Sequence, residues 1–212
     1  MTLPEYFPLE AAHFSDKAAL RRALRARRAR VSPLQRRHSA RRLVRLALGL
    51  RLLSRRRRIG FYVATKNEID VGLMLAQARA MGADCYLPVV PARGLRKLWF
   101  VRLGNRDVWM KNRYGIPEYR HPPARRVRAY QLDLLFLPLL GFDEWGSRIG
   151  MGGGYYDASL ARLGQRCCWR QPRLIGVAFA NQQVDRIPRD PWDVPLAGVL
   201  TERGYLSARR GQ

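Results

Sequence analysis

Four glycines fall within five positions, Gly150, Gly152, Gly153 and Gly154, and Tyr155, Tyr156 and Asp157 follow directly. Clustered glycine costs backbone entropy, so a chain places it where backbone must approach something closely or adopt positive φ. Here the cluster lies between an apolar run over 132–140 and a predicted helix over 155–163. Bare N–H groups leading into a helix N-terminus suit phosphate oxygens. Arg148, just ahead of the glycines, adds a fork-shaped donor for the same oxygens. Asp157, in the first helical turn, is a candidate magnesium ligand, although an acid there also favours the helix dipole. The segment is not a dinucleotide fingerprint, because Tyr155 occupies the third glycine position, and no Gly-Lys-Ser/Thr follows to make a Walker A loop.

The elements that must position these residues alternate between strand and helix. Ser15 or Asp16 caps a helix starting at Lys17, with Leu20, Leu24 and Val31 on its apolar side. Ser32-Pro33 opens a second helix. A strand over 59–64 follows, then a helix opened by Asp70 and closed at Gly82. Strands are expected over 85–90 and 98–103, a loop over 111–123, and a strand buried on both faces over 132–140. Strands over 174–180 and 199–201 complete the series. The alternation implies a three-layer αβα sandwich with a mainly parallel sheet, where ligands collect at the carboxyl ends of strands. The expected organisation is a tail over 1–14 and a single α/β domain over 15–212.

The chain has 212 residues, 47% of them hydrophobic, so it can bury a substantial core. No apolar run reaches membrane-spanning length. Cys85, Cys167 and Cys168 form no disulfide framework, which points to a reducing, cytoplasmic compartment. His13, His38 and His121 lack partners for a triad and read as surface residues. The formal charge is +24, and no acid occurs between Asp16 and Glu68. Arginine-favouring codon usage with solvated helix faces accounts for this, because acids return after residue 67. A nucleic-acid surface on the N-terminal helices is the alternative.

Residues 141–157, GFDEWGSRIGMGGGYYD, resemble the signature of the 5-formyltetrahydrofolate cyclo-ligase family, also called methenyltetrahydrofolate synthetase. Lys17-Ala-Ala-Leu-Arg21 is similar to its N-terminal basic motif, and Thr65-Lys-Asn-Glu68-Ile-Asp70 to its substrate-binding turn. Tyr114-Gly-Ile-Pro-Glu118, Asp190-Pro-Trp-Asp193-Val-Pro and Leu200-Thr201-Glu202 match later segments in order. The resemblance implies a monomeric ATP-dependent ligase. It would close 5-formyltetrahydrofolate, polyglutamylated or not, to 5,10-methenyltetrahydrofolate with release of ADP and phosphate. A binding protein for RNA on a retired ligase scaffold is the alternative that the arginines would support.

By that resemblance Lys17 and Arg148 are catalytic. ATP would meet Lys17, Arg21, Arg148, Gly150, Gly152, Gly153, Gly154, Tyr155 and Tyr156. The folate would meet Val63, Glu68, Tyr114, Met151 and Tyr155, with Glu68 accepting pterin N–H groups and Tyr114 stacking. Asp157 and Asp193 would hold Mg2+. Many family members carry aspartate where this chain has Ala197.

Overall fold

The computed structural model describes residues 7–14, 16–104, 108–119, 125–164 and 172–209. Ser15, His121, Cys167 and Cys168 lie outside the described residues. Helix α1 spans Lys17–Ala29, and the Asp16 carboxylate caps it by accepting from the Ala19 N–H at 2.6 Å. Helix α2, Pro33–Gly49, starts with a capping box in which Ser32 and Gln35 satisfy each other's backbone N–H. Strand β1, Arg58–Gly60, is shorter than expected, since the chain leaves the sheet just after it. Helix α3, Gly72–Ala80, starts two residues later than expected. Asp70 accepts from the Gly72 N–H at 2.8 Å ahead of the first turn.

Strands β2 (Asp84–Val89) and β3 (Trp99–Arg102) follow. The segment expected as a loop instead contains a hairpin, β4 (Trp109–Lys111) and β5 (Pro117–Tyr119). Its proline stands in a two-stranded edge ribbon, where a lost N–H is tolerated. The Glu118 carboxylate ties this hairpin to the end of β2, accepting from the Val90 N–H at 3.0 Å. Short β6 (Arg126–Val127) precedes β7 (Leu134–Pro138), whose first four residues are buried. A hairpin of β8 (Gly141–Phe142) and β9 (Arg148–Ile149) then leads through the glycines to α4 (Tyr155–Gly164). The last strands are β10 (Arg173–Val177), β11 (Gly198–Thr201) and β12 (Gly204–Ser207). The final strand was not expected. Gly204 turns the chain back at positive φ, so β12 pairs antiparallel with β11.

Among the described residues eight strands form one sheet, ordered β12-β11-β10-β7-β1-β2-β3-β6. Its middle, from β11 to β2, is parallel throughout. Ile59 sits between Cys85 and Leu134, and Phe136 lies opposite Ile175. Helices α2 and α3 cover one face through Leu43, Ala47, Met74 and Ala78. Helix α4 covers the other through Leu160 and Leu163. These are the three layers the sequence implied. Helix α1 instead packs Leu20 and Leu24 against Leu140 and Ile149, beside the hairpin that precedes the glycines. The stretch ahead of Asp16 also touches the domain, with the Leu9 N–H donating to the Gln183 carbonyl at 2.9 Å.

The strand order has a switch point. From β1 the chain adds β2 on one side, then returns to place β7 on the other. The connections leaving β1 and β7 therefore diverge and open a crevice at their carboxyl ends.

Candidate active site

A cavity of about 590 Å³ occupies that crevice. Its floor includes Tyr62 and Val63 beyond β1, Pro88 on β2, and Pro138 at the end of β7. Every candidate site residue named from the sequence lines it, although these residues come from five separated segments.

The glycine loop forms one wall. Gly152 and Gly154 have φ of 98° and 65°, which demand glycine, while a Cβ on Gly150 would meet nothing within 4 Å. Gly153 is different. A Cβ there would press on the Tyr155 ring at 3.1 Å. Among the described residues no backbone N–H of residues 151–154 donates to another protein atom. The Gly150 and Met151 carbonyls are engaged by α1. Arg21 Nε donates to the Gly150 carbonyl at 3.1 Å, and Arg25 Nη2 to the Met151 carbonyl at 3.2 Å. In a planar trans peptide the carbonyl and the next N–H point opposite ways. The Met151 and Gly152 N–H groups are therefore turned away from α1. The wall offers free donors beside a helix N-terminus, an arrangement suited to anions.

Lys17, Arg21, Arg25 and Arg28 share one side of α1, at spacings of four, four and three residues. The sequence reading took only the first two. The continued spacing was a usable signal for Arg25 and Arg28. These contacts give part of the arginine excess a role at the glycine loop.

The acidic residues are already partnered. Lys17 Nζ donates to Asp190 Oδ2 at 2.6 Å, an acid not singled out from the sequence. Arg148 is largely buried and donates to Asp157 and, at 2.8 Å, to the Val194 carbonyl. Asp193 accepts the Asp190 N–H at 2.9 Å through Oδ2. The other carboxylate oxygens of Asp157 and Asp193 remain open. Among the described residues no three acidic, histidine or cysteine side chains form a metal-binding group. Two hard carboxylates beside an anion wall nonetheless fit magnesium, which keeps waters and shares phosphate oxygens.

Glu68 also lines the cavity and accepts the Thr65 N–H at 2.8 Å through Oε2. Its Oε1 lies 3.5 Å from Arg28 Nη1. Tyr62, whose hydroxyl donates to the Ile69 carbonyl at 2.6 Å, is buried below, and burial drives its phenol upward. Burial does the same for the Tyr156 phenol. Tyr114, at the tip of the β4–β5 hairpin, reaches the Tyr155 hydroxyl, and the rings meet edge to face at 6.1 Å. That hydrogen bond, with a second from Arg113, pulls the exposed Tyr114 phenol below its ordinary value. Exposed Trp192 and Met151 also line the cavity. Ala197 does not line it.

Residues 13–202 match the model of the 5-formyltetrahydrofolate cyclo-ligase family. The chain belongs to this family. The 5-formyltetrahydrofolate cyclo-ligase of Haemophilus influenzae is 31% identical over 183 residues, 85% of this chain and 95% of that protein. The mouse 5-formyltetrahydrofolate cyclo-ligase is 28% identical over 89% of this chain and 94% of its own length. A solved 5,10-methenyltetrahydrofolate synthetase from Aquifex aeolicus superposes with a TM-score of 0.75 at 26% identity, covering 92% of this chain and 94% of that one. The Mycoplasma pneumoniae synthetase gives 0.66 at 25% identity, covering 88% and 99%. The cyclo-ligase likeness thus spans the whole site, from Lys17 to Asp193. No helix among the described residues is long and apolar enough to cross a membrane.

Proposed function

We propose that this cyclo-ligase family member converts 5-formyltetrahydrofolate to 5,10-methenyltetrahydrofolate at the expense of ATP. The observation that carries the reading is the glycine wall of unpartnered N–H groups sharing one cavity with Glu68. The first suits a polyphosphate, the second a ring bearing N–H donors.

A formamide oxygen leaves poorly, so it must first be activated. The γ-phosphoryl group passes from ATP to that oxygen: an O–P bond forms, the bond to the β-phosphate breaks, and ADP departs. N10 then attacks the formyl carbon, losing its proton as the C–N bond closes the ring. Phosphate leaves with the former formyl oxygen. The protein's part is positioning and charge stabilisation. The loop N–H groups and Arg21 hold phosphate oxygens. Lys17 exchanges Asp190 for the transferring group. Arg148 fixes Asp157, and Asp157 with Asp193 would hold magnesium, whose charge would neutralise the phosphates. Glu68 receives pterin N–H groups, Val63 gives an apolar wall, and Tyr114 with Tyr155 closes over the ring.

The chain acts as a monomer in the cytoplasm in this reading, with a polyglutamylated or unmodified folate as substrate. The test follows methenyl absorbance with purified protein, 5-formyltetrahydrofolate, ATP and magnesium. Absorbance should grow only when all three are present, with one ADP per methenyl product. Folate turnover without ATP, or none at all by folded protein, would overturn the reading.

A further inference from the structure

Arg28 carries a charge that the mechanism above leaves unused. The residue is only 4% exposed, yet it does not line the cavity. It lies behind Glu68, with Nη1 3.5 Å from Oε1. Nη2 meets the Met151 sulfur at 3.8 Å. Nε and Nη1 are buried and complete no hydrogen bond, so the Glu68 contact is an ion contact. Burying a guanidinium is costly unless an opposite charge compensates it. Burial pushes Arg28 down, and the Glu68 charge is the leading influence that pulls it back.

From the other side, Glu68 is nearly immobilised. The Thr65 N–H holds Oε2 and Arg28 faces Oε1. A carboxylate with a neighbour at each oxygen, a hydrogen bond at one and an ion contact at the other, has a restricted plane. Its remaining lone pairs keep one direction, as selective recognition of paired N–H donors requires.

We propose that Arg28 is a positioning residue for the folate: it orients the Glu68 carboxylate, and props the Met151 side chain, so that the pterin ring is accepted in one pose. The proposal rests on the folate reading of Glu68. Because the charge partner of Arg28 is Glu68, its larger effect falls on folate rather than on nucleotide.

The test measures folate and ATP dissociation constants, with kcat, for Arg28→Met, Arg28→Lys, Glu68→Gln and the Arg28→Met/Glu68→Gln double variant. Arg28→Met should weaken folate on the order of tenfold and leave ATP within about twofold. The double variant carries neither charge of the pair, so it folds even where Arg28→Met leaves Glu68 stranded. It should bind folate no more weakly than Glu68→Gln alone, because both changes remove one device. Arg28→Lys, which keeps the charge, should recover part of the loss. Wild-type folate affinity in folded Arg28→Met would overturn the proposal. So would independent losses that multiply in the double variant, or a lysine no better than methionine. Glu68→Gln with unchanged folate affinity would overturn the folate reading as well. A loss in Glu68→Gln without one in Arg28→Met would sink this inference alone.

Discussion

The connection from β7 to α4 has two halves, and they treat polar groups in opposite ways. In the hairpin half Asp143 is 2% exposed and accepts three backbone N–H groups, from Trp145 at 3.0 Å, Ser147 at 2.8 Å and Ile187 at 3.0 Å. The Asp143 carboxylate and these three N–H groups satisfy one another internally. In the glycine half the Gly150 and Met151 carbonyls turn to α1, and among the described residues the N–H groups of residues 151–154 find no protein partner. A satisfied turn gives rigidity, whereas an unsatisfied one beside a cavity gives affinity for an anion. The first half supports the second: the hairpin buries Ile149 against Leu20 and Leu24 and so fixes where the glycines begin.

Four changes test that contrast. The largest effect is expected for Asp143→Ala, which strands three N–H groups and should lower stability by about 4 kcal/mol. Chemical denaturation measures this, and the folded fraction should keep its nucleotide KM. Gly152→Val comes next. It forces a branched residue to a φ of 98° and should cut kcat/KM on the order of a hundredfold, about 2.7 kcal/mol, chiefly through ATP. A variant with wild-type ATP kinetics would show that the loop is merely a turn. Asp193→Asn should raise the magnesium concentration for half-maximal rate about tenfold with little change in stability. An unchanged magnesium curve would remove Asp193 from the site.

The smallest effect concerns Glu202, a second buried carboxylate, which accepts the Ala180 N–H. Burial raises its pKa above the ordinary 4.5, outweighing its hydrogen bonds and the Arg203 and Arg42 charges. A carboxyl raised on folding contributes stability that is full below its unfolded value and lost as pH rises through the folded one. Glu202→Gln should therefore be neutral near pH 4 and stabilising near pH 7. An equal effect at both pH values would contradict this.

The elements were largely legible because their signals are local. Asp16, Ser32 and Pro33 mark helix starts through caps that act within one turn. The apolar run of β7 announces burial on both faces. The β4–β5 hairpin and β12 were missed because short ribbons are stabilised by what they pair with or dock on. Glu118 reaches Val90 across 28 residues, and no periodicity reports that.

The sequence by itself determined the family, the glycine wall, and which residues converge on one cavity, since motif order and backbone conformational demand are written along the chain. Only the tertiary structure decided which charges neutralise which. Arg148 meets Asp157, Lys17 meets Asp190, and Arg28 lies buried behind Glu68. Such pairings depend on distance and desolvation among segments far apart in the chain, and those exist only once β1 and β7 lie side by side.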